Sequence, residues 1–194
     1  MINTDSSTKP KTRDLIKTEF LKLYNDKPLS KITVSDIIRD CNISRGTFYF
    51  HFEDTHALYR ECERDMIDFM EGGLHEIILS TVRKDTKKHL DALCDYMKNT
   101  YLGHINTFKS FLSGSENDSF RQAWFDSIKH DFARAIEFAA GEMPEAKREN
   151  LASFYAGGYV AVIGKWILED CSEPVEEVAD LQVRIVFQGI ISQK

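Results

Sequence analysis

The stretch Lys31-Ile-Thr-Val-Ser-Asp-Ile-Ile-Arg-Asp-Cys-Asn-Ile-Ser-Arg-Gly-Thr-Phe-Tyr-Phe-His-Phe52 decides the fold. Thr33-Val-Ser-Asp36 fits a capping box, with the Thr33 hydroxyl serving a free N–H and Asp36 reaching back. Ile32 and Ile37 flank that start at the spacing of a hydrophobic staple. Val34, Ile37, Ile38 and Cys41 then form the inner face of a two-turn helix. Asn42-Ile43 makes a short turn, Ser44 is the natural cap of the next helix, and Ile43 and Phe48 repeat the staple spacing. Two short helices joined by so tight a turn make a helix-turn-helix unit.

The second of these helices divides its residues sharply. Phe48 and Phe52 lie four apart and can pack beneath the unit, while Arg45, Gly46, Thr47, Tyr49 and His51 lie on other faces. Arg45 and Gly46 occupy the first turn, the part of a recognition helix that reaches base edges. Gly46 lets the backbone approach closely. The plainer alternative is a short solvated helix with some aromatic packing.

Outward from this unit the chain reads as helix throughout. Residues 1–9 are a polar tail, and Ile16, Phe20, Leu23 and Tyr24 mark one stripe of a helix over about 10–26 that Pro28 prevents from continuing. Glu53-Asp54 caps a long helix over about 55–82. Further helices are expected over about 86–103, 105–113, 117–140, 145–171 and 175–192, with Pro144 and Pro174 near two starts. The fold class is therefore all-α, about nine helices: a helix-turn-helix domain over 10–54 and a helical body over 55–194.

Composition narrows the function. The 194 residues carry a net charge of −6, but residues 1–52 hold nine Lys/Arg against six Asp/Glu and the remainder sixteen against twenty-five. A mildly basic head on an acidic body suits a protein that touches phosphate with one end. No run of about 18 apolar residues exists, so no membrane span is expected. The polar start has no secretory h-region, so a cytoplasmic protein is expected. Cys41, Cys62, Cys94 and Cys171 are too far apart for a CxxC pair and read as reduced thiols. HExxH, G-x-S-x-G, Walker and GxGxxG patterns are all absent, and His51 and His56 do not share a helix face. No catalysis, metal or cofactor is expected.

The run ITVSDIIRDCNISRGTFYFHFEDTHAL closely resembles the DNA-binding domain of the TetR family over roughly residues 10–60. The resemblance implies that Thr33 uses its hydroxyl and N–H on a phosphate, and that Ser35 approaches bases or backbone. It implies that Arg45 reads a base, with guanine O6/N7 the acceptor pair that its fork matches. Ser44 and Gly46 belong to the same recognition-helix start. Thr47 and Tyr49 would bind phosphate or meet a thymine methyl, and His51 would donate to a phosphate. Lys9, Lys11 and Arg13 add charge where the first helix begins. One departure stands out: a lysine common in the family near the start of the fourth helix is here Thr55, preceded by Glu53 and Asp54. The implied partners are double-stranded operator DNA, a second copy of the chain, and a small organic effector. A repressor released by that effector is the leading expectation. A co-activator or protein adaptor that kept the fold is the alternative.

The body says less. Phe154–Leu168 is apolar almost all round, and Ala156, Gly157, Ala161 and Gly164 are small at three- to four-residue spacing. The last helix adds Val175, Val178, Val186 and Ile190. Two such helices suit a four-helix interface between subunits, or simply a core. Asn106 to Phe120 resembles one group of TetR-type regulators with a similar N-x-F-x-x-L helix. Tyr96, Tyr101, His104, Phe108, Phe111, Trp124, Phe125 and Tyr155 are aromatic or polar-tipped, which suits an effector pocket or ordinary helical core.

Overall fold

The computed structural model describes residues 11–81, 86–114 and 117–191, all of their regular structure helical. The helices are α1 (Thr12–Asp26), α2 (Val34–Cys41), α3 (Arg45–His51), α4 (Thr55–Thr81), α5 (Thr86–Thr100), α6 (Ile105–Ser113), α7 (Asn117–Ala140), α8 (Glu145–Leu168) and α9 (Val175–Ile191). Short 3₁₀ turns cover Leu29–Lys31 and Leu102–His104. The chain divides into two compact units, Met1–Cys62 and Glu63–Lys194, so the first unit includes the opening turns of α4.

The first unit is closed by the stripe expected on α1. Ile16, Phe20 and Tyr24 are buried, joined by Leu29, Ile32, Ile37, Cys41, Phe48, Phe52, Leu58 and Tyr59. Phe20 stacks on Tyr24 at 5.8 Å, and Tyr24 meets Tyr59 edge-on at 5.5 Å. Rings in such arrangements add to the simple gain from burial. The turn after α2 needs a left-handed residue, and Asn42 supplies it at φ 51°. The Ile43 N–H then returns to the Ile38 carbonyl at 3.0 Å, closing the helix end.

The second unit packs α5 to α9 around an aromatic core. Trp124, Tyr101, Phe108, Phe111, Phe120 and Phe132 are fully or almost fully buried. The side chain of Trp124 lies 3.8 Å from where a Cβ on Gly164 would stand, so this glycine lets α8 run close to α7. Among the described residues α8 is the helix long and apolar enough for a membrane span by length and composition. Half of that stretch is buried in the chain's own core, as in an ordinary core helix. α8 stops three residues before the expected 171 because Asp170 and Cys171 both turn left-handed, at φ 60° and 51°. The indole N–H of Trp166 fixes this corner by donating to the Glu173 carbonyl at 2.9 Å.

None of the four cysteines is in a disulfide. Burial pushes the Cys41 and Cys171 thiols up to about 11 and raises Cys94 as well. Such thiols stay protonated at neutral pH and are poor nucleophiles.

Candidate functional site

The α2–turn–α3 unit is built by reciprocal caps. The Asp36 N–H donates to the Thr33 hydroxyl at 3.2 Å, and the Thr33 N–H and hydroxyl donate to Asp36 Oδ2 at 3.1 and 2.9 Å. Lys27 adds a bond to the same oxygen at 2.9 Å. Hydrogen bonds from Lys27, then from Thr33, hold the Asp36 carboxyl well below the usual carboxylate range. Both groups of Thr33 that a phosphate would take are thus committed to Asp36. At α3, Ser44 accepts from the Thr47 N–H at 3.0 Å, and the two hydroxyls lie 2.8 Å apart.

α3 turns Phe48 and Phe52 into the unit's core and leaves the rest outward. Arg45 and Gly46 are exposed, and Thr47 is half-buried. The Arg45 guanidinium donates from Nη2 to the Ser35 hydroxyl at 2.9 Å, which brings these two expected contacts together across α2 and α3. Tyr49 is half-exposed and rests edge-on against Phe48. Phe50, passed over in the sequence, is 84% exposed. The signal was available: at about 100° per residue it points away from Phe48 and Phe52.

The basic residues fall into two sets. Arg13, expected to add charge at the start of the first helix, is engaged within its own unit. It forks onto the Glu61 carboxylate, donates from Nη1 to the His51 carbonyl at 3.1 Å, and lies 4.6 Å over the Phe52 ring. Lys17, Lys22, Lys27 and Arg39 are likewise in ion pairs. Lys11, Lys31 and Arg45 have no acidic partner among the described residues. Lys9 lies outside the described residues. His51 is half-buried between the Phe50 and Phe52 rings. Thr55, half-buried, opens α4 behind Asp54, whose carboxylate caps the Ala57 N–H at 2.7 Å. An acid there complements the helix dipole, which gives Asp54 a structural purpose.

The aromatic residues of the body fall into several ring contacts. Tyr101, Phe108 and Trp124 meet ring to ring, with Tyr96 edge-on to Tyr101 and Phe111 stacked on Phe120. His104 is exposed, edge-on to Phe69. Phe125 is half-buried beside Gly157, and Tyr155 packs on Phe132. The buried cluster has a polar seam that the sequence did not reveal. The hydroxyls of Tyr101 and Tyr159 lie 3.0 Å apart, and Tyr96 donates to the Met70 carbonyl at 3.0 Å. Burial raises all three phenols, Tyr96 to about 12. The Trp124 indole N–H is buried beside them without an acceptor among the described residues.

The residues expected at a subunit interface also divide. Ala156, Gly164, Val175 and Val178 are turned into the chain's own core, because α8 and α9 use those positions to pack within the unit. Gly157 is half-buried and Ala161 exposed. The side chains of Val186 and Ile190 lie outside the described residues. The outward apolar surface is instead Phe154, Gly158, Ala161 and Leu168 on α8 with Leu181 and Ile185 on α9. A groove of about 370 Å³ runs between the two helices, lined by Phe154, Gly158, Val162, Gln182 and Ile185 among others.

Comparison with known proteins agrees with this architecture. Residues 21–62 match the family described as bacterial regulatory proteins, tetR family, and residues 84–188 match the TetR_C_8 transcriptional regulator C-terminal region. The chain is 22% identical over 173 residues to the uncharacterized HTH-type transcriptional regulator YxbF of Bacillus subtilis, covering 89% of this chain and 44% of that protein. It thus spans less than half the length of that relative. A putative TetR-family regulator from Syntrophomonas wolfei superposes with a TM-score of 0.69 at 18% identity, over 93% of this chain and 95% of that one. The dihydroxyacetone kinase operon activator DhaS superposes at 0.62 and 17% identity, over 92% and 96%. With the second match alone spanning more than half of its length, the chain belongs to the tetR family of transcriptional regulators, which are DNA-binding proteins rather than enzymes.

Proposed function

We propose that the chain is a sequence-specific repressor that binds operator DNA as a homodimer, acts in the cytoplasm, and is released by a small organic effector. The observation that carries the DNA reading is the outward face of α3, where Arg45 has no acidic partner among the described residues and is steadied by Ser35 at 2.9 Å. A guanidinium held this way offers its fork to guanine O6/N7. Two such heads in a dimer meet successive major grooves about 34–36 Å apart. The polar seam of Tyr96, Tyr101, Tyr159 and Trp124 supports an effector with both ring and hydrogen-bonding character. Such a ligand lowers operator affinity only by binding the operator-competent state less tightly.

The test is a gel shift of the protein on duplexes selected from a randomised pool, with Arg45→Ala beside it. The substitution costs about 1–3 kcal/mol on a selected duplex and much less on random sequence. Equal losses on both make Arg45 a phosphate contact and remove the claim of base reading.

A second reading is an activator or protein adaptor. Exposed Glu53 and Asp54 follow α3 directly, where a cation would neutralise phosphate, and the structural neighbour DhaS is named an activator. Transcription from a selected operator upstream of a reporter separates the two, since a repressor lowers the signal and an activator raises it.

A further inference from the structure

We propose that Phe50 reads DNA sequence by packing its ring on the 5-methyl group of a thymine in the major groove. In this arrangement Gly46, one turn earlier, clears the way for the backbone of α3. The proposal rests on the DNA-reading role of α3 given above.

Two unusual choices share one face of a seven-residue helix. Phe48 and Phe52 define its buried side. Opposite them stand Gly46 and Phe50, four residues apart and so one above the other. Phe50, at 84%, is the most exposed large apolar side chain among the described residues. Folding of the chain gains almost nothing from this ring. It stands edge-on to His51, 5.1 Å between centroids, whose carbonyl Arg13 anchors. Gly46 is equally unexplained from within. It lacks a left-handed φ, and a Cβ there would meet only the Ser44 hydroxyl at 3.7 Å, an ordinary contact. A helical glycine that neither backbone nor packing requires weakens the helix relative to alanine.

One external surface accounts for both. A groove floor that comes close to the backbone explains the missing Cβ. An apolar group one turn further on explains the ring. The apolar group displayed at base edges in the major groove is the thymine methyl. Phenylalanine has no hydroxyl to donate to a phosphate, unlike Tyr49 beside it. Arg45 and Phe50 are five residues apart, about 7.5 Å along the axis. Phe50 therefore reads about two base steps from the pair under Arg45.

The experiment uses the full chain and duplexes recovered from a randomised pool. Each thymine is replaced in turn by deoxyuridine, which removes only the methyl, and affinity is read by fluorescence anisotropy. One thymine in each half-site, about two steps from a guanine, weakens wild-type binding about fourfold when demethylated. Phe50→Ala binds the methylated and demethylated duplexes alike, and Phe50→Leu keeps part of the difference. Circular dichroism of both variants checks that α3 still forms. The proposal is overturned if no thymine is sensitive, or if Phe50→Ala keeps the wild-type sensitivity. Failure of the pool to yield any preferred sequence overturns the DNA-reading role itself, and this proposal with it.

Discussion

Arg13 and Glu61 join α1 to α4 through a two-pronged contact, with Arg13 Nε 2.8 Å from Glu61 Oε1 and Nη2 donating to the other oxygen. A third donor reaches the His51 carbonyl at 3.1 Å, so one side chain ties three helices of the head. The fork needs a planar guanidinium, which lysine cannot supply. Arg13 is 43% exposed, so solvent screening lowers what its charge contributes.

Arg13→Ala should therefore destabilise the head by about 1–2 kcal/mol, and Arg13→Lys should recover little of it. Urea denaturation followed by circular dichroism measures this. The salt dependence of DNA binding should stay as in the wild type at temperatures where the variant is folded. A salt slope shallower by about one unit per subunit would return Arg13 to the phosphate contacts.

Gly46→Ala separates folding from binding. A Cβ at this position meets only the Ser44 hydroxyl at 3.7 Å, and alanine is the better helix former. Thermal stability of the head should rise by about 0.5–1 kcal/mol while affinity for a selected duplex falls. Stability and affinity rising together would mean that the DNA does not approach the backbone there.

Asp36 gives the head a dependence on acid. Its folded carboxyl is held well below the usual range by Lys27 and Thr33. A depressed value means the charged form is favoured by folding. The stability it brings is fully present above the unfolded value near 3.9 and is lost as pH falls through that region toward the folded value. Unfolding midpoints of the wild type should thus drop on acidification below about pH 4. Asp36→Asn should start lower at neutral pH and lose less across the same range. Parallel curves for the two proteins would remove Asp36 from the acid response.

Much of the head was legible because its determinants are local. Thr33 and Asp36, Ser44 and Thr47, and Ile32 and Ile37 are three to five residues apart, within a turn or so, and such spacings survive translation into sequence. The bond from Arg13 to Glu61 leaves no mark in the sequence, because the two are forty-eight residues apart and no spacing rule contains the pairing. Phe50 carries no polar signal in the sequence, although its angle around α3 can be counted from Phe48 and Phe52. In the body, helical periodicity placed the helices but not their partners. On α9 the sequence marks Val178 for an interface, yet it is buried within the chain, while Ile185, which the sequence did not mark, is 53% exposed. Tyr101 and Tyr159 meet across fifty-eight residues, which likewise leaves no mark in the sequence.

That contrast on α9 tests the proposed dimer. Leu181 and Ile185 lie four apart, so they share one outward face of the helix. Phe154, Gly158 and Ala161 form a matching outward stripe on α8, with the 370 Å³ groove between the two helices. In a two-fold interface each of these positions occurs twice, so one introduced charge counts twice. Ile185→Glu places two carboxylates on surfaces that must lose water for subunits to meet, without touching the core of either chain. It should give a folded monomer in sedimentation velocity at concentrations where the wild type is a dimer. Its circular dichroism should be unchanged, and its operator affinity should drop because one head alone reads a half-site. Val178→Ala should do the reverse. That side chain is only 2% exposed, so its loss opens a small cavity and lowers stability by about 1–3 kcal/mol with the dimer intact. A dimeric Ile185→Glu would move the interface away from this face. A monomeric, fully stable Val178→Ala would mean that α9 packs with its other side inward.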